Sequence, residues 1–205
     1  LLATCARTRD ADALDFLGAK TKFGDLARAI NALAGALQSQ FGVRKGSRVA
    51  LLLPNTPFYV VAYYAVLRAG GIVVNCNPLY TVHELSHITA NAGADLMVTL
   101  DLKQLFEKAE ALTEAGLIKR LIVCHFPDAL PGLKRLLFTL VKRKDLAQVK
   151  ESRVGPKVSL YADLLKRNET PAPVSIDPEK DVAVQQYTGG TTGLPKGAML
   201  THANI

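Results

Sequence analysis

Short apolar runs alternate with helical segments along most of this chain, and this alternation constrains its fold more than any other feature. Apolar runs of strand length occur at residues 49–53, 72–74, 96–99, 120–124 and 182–187. Helical patterns occur between several of these runs, at residues 58–69, 81–91 and 102–113. Because a crossover between parallel strands needs a connection of about a helix's length, the alternation predicts an α/β fold. Its sheet should be mostly parallel, with helices covering both faces.

The amino-terminal part predicts a hairpin followed by a long helix. Two short extended runs within residues 13–23 are typical of a hairpin. Apolar residues then recur every three or four positions over 25–41, and Gly42 ends the pattern. Further along, Thr81 precedes Glu84 by three positions, which indicates a capping box at the start of a helix.

Composition and cysteine usage favour a soluble globular protein of a reducing compartment. Hydrophobic residues make up 49% of the chain and charged residues 21%, which is ample for a buried core. The three cysteines are far apart and include no CxxC pair, so they suggest neither a zinc site nor a disulfide framework. The first residues show no signal peptide, and a cytoplasmic location is therefore the default expectation. Residues 57–76 are apolar, but Arg68 and Gly70-Gly71 interrupt them where a membrane span needs about twenty uninterrupted residues.

The net charge of +7 is concentrated in one segment, residues 126–158, which holds eight basic residues against three acidic ones. It lacks interleaved aromatics that would stack on bases, so we expect no nucleic-acid partner. Within it, residues 133–144 combine an apolar helical face with flanking lysines and arginines. One interpretation is peripheral contact with an anionic membrane. The favoured one is an ordinary amphipathic helix packed on its own domain.

The segment with the clearest chemistry is residues 188–197, directly after the run at 182–187. It contains four glycines, three threonines and one lysine in ten residues. Glycines let backbone amides approach an anion, threonine hydroxyls add hydrogen-bond donors, and lysine adds a mobile positive charge. This combination predicts a loop that binds phosphate.

Three other interpretations of this loop fit less well. The P-loop of nucleotide hydrolases requires glycine before its lysine and a hydroxyl after it, whereas Pro195 and Gly197 flank Lys196. A dinucleotide-binding fingerprint requires G-x-G-x-x-G before a helix, whereas residues 198–200 form another apolar, strand-like run. A glycine-rich hairpin without a ligand leaves the convergence of donors unexplained.

Residues 187–197 resemble the phosphate-loop signature of adenylate-forming enzymes, the group of acyl-CoA synthetases, luciferases and peptide-synthetase adenylation domains. Residues 198–204 extend the match, and residues 52–55, 67–70 and 77–81 look like further landmarks in the right order. Together they are most similar to bacterial long-chain fatty-acid–CoA ligases. Many relatives carry serine where this chain has Gly189, although the long-chain branch often has glycine. The resemblance implies a flavodoxin-like subdomain as the fold.

The resemblance also implies a reaction and a set of site residues. A carboxylate attacks the α-phosphorus of ATP, and coenzyme A then displaces AMP from the acyl adenylate. Thr188 is implied near Mg²⁺ and phosphate, Lys196 as a mobile catalytic cation, and His202 either near the acyl pocket or at a helix start. The implied phosphate-binding residues are Thr188, Gly189, Gly190, Thr191, Thr192, Gly193 and Lys196.

We expect residues 1–205 to be part of an amino-terminal adenylation domain that lacks its remaining portion and the small carboxy-terminal domain. The chain alone should then be inactive. Alternatives are an acyl-AMP ligase, an aryl- or short-chain synthetase, or a non-catalytic membrane- or partner-binding module on the same fold. A homodimer and a peripheral position on the inner membrane stay open.

Overall fold

The computed structural model describes residues 1–188 and 195–205. Helices and strands alternate in it as the apolar pattern predicts. The helices are α1 (Leu2–Arg7), α2 (Phe23–Phe41), α3 (Pro57–Arg68), α4 (Val82–Ala92), α5 (Lys103–Glu114), α6 (Gly132–Val141) and α7 (Tyr161–Lys166). The strands are β1 (Asp12–Phe16), β2 (Ala19–Lys22), β3 (Arg48–Leu52), β4 (Ile72–Asn75), β5 (Leu96–Leu100), β6 (Arg120–Cys124), β7 (Val158–Leu160), β8 (Val182–Thr188) and β9 (Lys196–Thr201).

Seven of these strands form one sheet in the order β7-β6-β5-β3-β4-β8-β9. The pairings from β7 to β8 are all parallel, and β9 runs antiparallel to β8 at one edge. Strands β1 and β2 pair separately as the predicted hairpin. The mostly parallel α/β fold expected from the sequence is therefore confirmed.

The central strands are buried because helices flank the sheet. Val49, Ala50 and Leu52 of β3 have no exposed surface. Helix α2 packs against α3 and α7, while α4 packs against α5, so the helices form two groups. This arrangement explains why the strand sequences are continuously apolar rather than alternating.

The predicted helix boundaries agree with the observed caps. Helix α2 ends at Gly42, whose φ of 67° is a left-handed conformation that favours glycine. At the start of α4, the Thr81 amide donates to Glu84 Oε2 at 2.7 Å, and the Glu84 amide donates to Thr81 Oγ1 at 3.3 Å. The amide and the hydroxyl of Thr81 both donate to the Glu84 carboxylate, and these two hydrogen bonds hold the pKa of Glu84 below its usual value. The capping box is confirmed.

The apolar stretch at residues 57–76 does not form a membrane span. Its helical part, α3, is twelve residues long and gives way to strand β4. Across residues 1–188 and 195–205, no helix is both long enough and apolar enough to cross a bilayer.

Helix α6 forms where the amphipathic pattern predicts a helix. The expectation that its apolar face packs on its own domain is wrong for the residues that the structure describes. None of its residues is buried, and Leu133 and Leu140 are 72% and 71% exposed. Its apolar contact with the domain includes Phe138, whose ring centroid lies 5.1 Å from that of Phe126. The leucines lie on a different side of the helix from Phe138, and this geometry leaves them in solvent.

Candidate functional site

The two ends of the predicted phosphate loop lie side by side at the carboxyl edge of the parallel strands. Thr188 is the last residue of β8 and Lys196 the first of β9, and the two are register partners. Both are exposed. In open parallel α/β sheets, ligands bind outside this edge. A hydroxyl and an ammonium group therefore flank one point where an anion can be bound.

The remaining phosphate-binding candidates, Gly189, Gly190, Thr191, Thr192 and Gly193, lie outside the described residues. Their phosphate contacts stay a prediction. The structure brings Thr188 and Lys196 together, as a phosphate loop between them requires.

Gly197 makes a close approach possible at the base of this loop. It pairs with Tyr187 across β8 and β9, and a β-carbon on Gly197 would lie 2.8 Å from Cζ of the Tyr187 ring. Any larger residue would therefore displace either the ring or the start of β9. Because Gly197 directly follows Lys196, its small size helps to determine where that lysine is held.

Tyr187 also connects the loop base to helix α4. Its hydroxyl donates to Asn91 Oδ1 at 2.6 Å, and its side chain is largely buried. Burial raises the pKa of Tyr187, so the hydroxyl keeps the proton that it donates. Sequence reasoning missed this contact because the two residues are 96 positions apart and neither belongs to a spacing motif.

A second polar network lies on the neighbouring strand ends. Asn75 Nδ2 donates to Gln186 Oε1 at 2.7 Å, and the Tyr59 hydroxyl donates to Asn75 Oδ1 at 3.0 Å. The three residues line a cavity of about 470 Å³ that also includes Tyr63 and Leu200. The network fixes the side chain of Gln186, two residues before Thr188, and was not predicted from the sequence.

His202 lies at the opposite end of β9 from Lys196. Thr201 pairs with Val182 at the start of β8, so about 20 Å of strand separates His202 from Lys196. His202 begins a short 3₁₀ helix, and its amide donates to the Asp181 carbonyl oxygen at 3.2 Å. Burial lowers the pKa of His202, partly offset by the Asp181 charge. The helix-start interpretation is confirmed, and the substrate-binding role stays a prediction.

Side chains that commonly bind metal ions do not cluster in the described part of the chain. Across residues 1–188 and 195–205, no group of three or more histidine, cysteine, aspartate or glutamate side chains is placed to hold a metal ion. Cys5, Cys76 and Cys124 are buried free thiols. Burial raises the pKa of Cys76 to about 12, so it is neither a nucleophile nor a ligand near neutral pH.

We predict that Tyr187→Phe lowers the free energy of unfolding by about 1 kcal/mol, because it removes the part-buried hydrogen bond from the Tyr187 hydroxyl to Asn91 Oδ1. Urea denaturation of Tyr187→Phe, Asn91→Ala and the double variant forms a double-mutant cycle. A coupling energy close to zero would show that this hydrogen bond does not anchor the loop base. Tyr64→Phe, at a more exposed tyrosine without a side-chain hydrogen bond among the described residues, is the matched control.

The model of the protein family described as "AMP-binding enzyme" matches residues 1–205. The chain belongs to the AMP-binding enzyme family. Among curated members, a long-chain-fatty-acid–CoA ligase of Bacillus subtilis (strain 168) is 41% identical over 207 residues, covering 100% of this chain. Another, from Escherichia coli O157:H7, is 37% identical over 202 residues, covering 98% of it. These alignments cover 36% and 35% of the two relatives, so the chain spans about a third of their length.

Solved structures of CoA ligases share this fold. A long-chain-fatty-acid–CoA ligase from Archaeoglobus fulgidus superimposes with a TM-score of 0.70 at 27% identity. The match covers 98% of this chain and 35% of that one. A benzoate–CoA ligase from Burkholderia xenovorans LB400 also gives a TM-score of 0.70, at 21% identity, with 98% and 33% covered. The second match supports the fold alone.

Proposed function

We propose that this chain is part of an ATP-dependent long-chain fatty-acid–CoA ligase. The acid's carboxylate bonds to the α-phosphorus of ATP and pyrophosphate leaves. The coenzyme A thiol, losing its proton, then bonds to the acyl carbon, and AMP leaves. The observation that carries this proposal is the Thr188–Lys196 pair at the carboxyl edge of the sheet, in a member of the AMP-binding enzyme family.

The residues of this chain act in the first step by charge and position. An anion approaches a polyanion, so the barrier is largely electrostatic. The Lys196 ammonium offsets the repulsion and stabilises the leaving pyrophosphate, while the Thr188 hydroxyl donates to a phosphate oxygen. The hydrogen bond from Tyr187 to Asn91 holds the base of the loop in place. The Lys196 ammonium and the Thr188 hydroxyl are therefore already positioned before the reaction begins.

Mg²⁺ fits this site as a companion of the nucleotide. Thr188 supplies a single neutral oxygen at the loop edge, which would suit an ion held mainly by the phosphates of its nucleotide and by water. When bound, the ion would neutralise phosphate charge. Thr188 would contribute one ligand or orient a water ligand.

The chain spans about a third of its curated relatives, and we propose that further residues complete the adenine, acyl and coenzyme A sites. This chain would then be the amino-terminal part of an adenylation domain and would be inactive alone. The curated relatives, which are long-chain-fatty-acid–CoA ligases, support a long-chain substrate. Acyl-AMP ligases and aryl- or short-chain synthetases are the alternatives within the family.

Two further elements of the proposal concern location. Long-chain acids partition into bilayers, and peripheral membrane contact through residues 133–144 would bring the enzyme to them. The protein would otherwise be cytoplasmic. A homodimer stays a prediction.

The test is calorimetric titration of the full-length protein with ATP, with Mg²⁺ and with EDTA, followed by acid-dependent ATP–pyrophosphate exchange. We expect Mg²⁺-dependent ATP binding, and exchange that is fastest with a long-chain fatty acid compared with benzoate and acetate. Exchange with benzoate or acetate alone would contradict the substrate class. An absence of ATP binding would contradict the enzyme and favour a non-catalytic module.

A further inference from the structure

Helix α6 carries an apolar ridge that the rest of the described chain leaves uncovered. At about 100° per residue, the five ridge residues fall within an arc of about 140°. Their exposed fractions range from 51% to 72%. A contiguous apolar surface of this kind marks an interaction site. The ridge residues are Leu133, Leu136, Leu137, Leu140 and Val141.

The other sides of α6 fasten it to the domain. Phe138 packs on Phe126, which in turn contacts Phe16 edge-on at 6.5 Å between ring centroids. Arg135 pairs with Asp128 at 2.6 Å, and Lys134 Nζ donates to the Leu17 carbonyl oxygen at 2.7 Å. These contacts hold the helix so that the ridge faces outward.

A cavity of about 730 Å³ lies directly beyond the carboxyl end of α6, outside the carboxyl ends of β5 and β6. One wall is the segment after α6, which the Ala147 amide fastens to the Asp101 carbonyl oxygen at 2.7 Å. The wall includes apolar groups such as Leu146 and Val149. Four basic residues line the space, and we call it the basic cavity. They are Lys103, Arg143, Lys144 and Lys150.

None of these four bases forms an ion pair within residues 1–188 and 195–205, whereas nine other lysines and arginines there do. The cavity also has two acidic lining residues, Asp101 and Glu151. Asp101 is already engaged, by His125 Nδ1 and by the Phe126 amide at 2.8 Å. Positive charge is therefore in excess and lacks a partner, which suits a phosphate group.

We propose that the ridge and the basic cavity form one surface that docks on an anionic bilayer. The ridge enters the interface between headgroups and acyl chains, and the basic cavity receives the phosphate of an anionic phospholipid. A leucine ridge beside unpaired bases matches the apolar and charged layers of such a surface. This docking surface rests on the membrane contact proposed above for residues 133–144 and names its lipid partner. Because docking requires neither ATP nor the phosphate loop, its failure is distinguishable from a failure of the proposed ligase activity.

The test is co-sedimentation of the full-length protein with vesicles of phosphatidylcholine, with and without phosphatidylglycerol, in the absence of nucleotide. We expect binding only to the anionic vesicles. The triple variant Arg143→Gln/Lys144→Gln/Lys150→Gln should bind them on the order of 100-fold more weakly, since each base near an anionic surface contributes about fivefold. Leu136→Ser/Leu140→Ser should weaken binding by at least about tenfold.

The matched control is Arg7→Gln/Arg44→Gln/Arg167→Gln, which removes the same charge from exposed arginines outside this surface. It should bind the anionic vesicles within about threefold of the parent, because each surface charge acts over only about a Debye length. The proposal is overturned if the parent protein does not bind anionic vesicles. That result is expected if other residues of the full-length protein, or a second copy, cover the ridge. Equal losses in the two triple variants would also overturn it, because binding would then follow net charge alone.

Discussion

Replacing Lys196 with alanine in the full-length protein is expected to slow acid-dependent ATP–pyrophosphate exchange by about 100-fold. Lys196 is exposed at the start of β9, beside Thr188, where the developing pyrophosphate charge would lie. Removing one well-placed donor from a site that stabilises transition-state charge typically costs a factor of about 100 to 1,000. The lower value applies because an exposed lysine is mobile and partly screened by solvent.

Two comparison variants sharpen this experiment. Lys22→Ala removes an exposed lysine from strand β2, away from the loop, and should leave exchange unchanged. Lys196→Arg keeps the charge and should recover part of the rate. Wild-type exchange in Lys196→Ala would remove this residue from the mechanism, whereas loss in both alanine variants would indicate a general effect of charge.

Gly35→Ala is expected to lower the free energy of unfolding by about 2 kcal/mol, although alanine favours helices over glycine by about 1 kcal/mol. Gly35 lies in α2, and a β-carbon there would overlap the backbone carbonyl group of Glu169. The segment that carries this carbonyl group is held against α2 by hydrogen bonds, so it cannot move away easily. Gln40 Nε2 donates to Glu169 Oε1 at 3.0 Å, and the Gln38 side chain forms hydrogen bonds with the backbone of Ala172. Overpacking of this kind costs about 1–3 kcal/mol.

Gly132→Ala is the matched control for this substitution. Gly132 is the first residue of α6, and nothing lies within 4 Å of the position that its β-carbon would take. Helix propensity alone then applies, and stability should stay the same or rise slightly. Thermal or urea denaturation of both variants measures the difference. A Gly35→Ala protein as stable as the parent would show that the connection after α7 is free to move away from α2.

Local patterns in the sequence predicted the elements and their ends with good accuracy. The apolar runs at 49–53 and 120–124 became β3 and β6, and the capping box at Thr81 and Glu84 formed as its spacing requires. These features depend on neighbours within one turn or one strand, so residue order is sufficient to predict them. The short elements β7 and α7 were not anticipated, since three and six residues carry little periodicity.

By itself, the sequence determined the α/β class, the phosphate-loop hypothesis and the resemblance to adenylate-forming enzymes. Only the tertiary structure decided which distant groups meet. It brought Tyr187 into contact with Asn91 and Glu169 against Gly35. It also set the strand order, separated His202 from Lys196 by the length of a strand, and left the α6 ridge in solvent. The reason is physical: an amphipathic pattern shows that a helix has an apolar face, but the rest of the fold determines what covers that face.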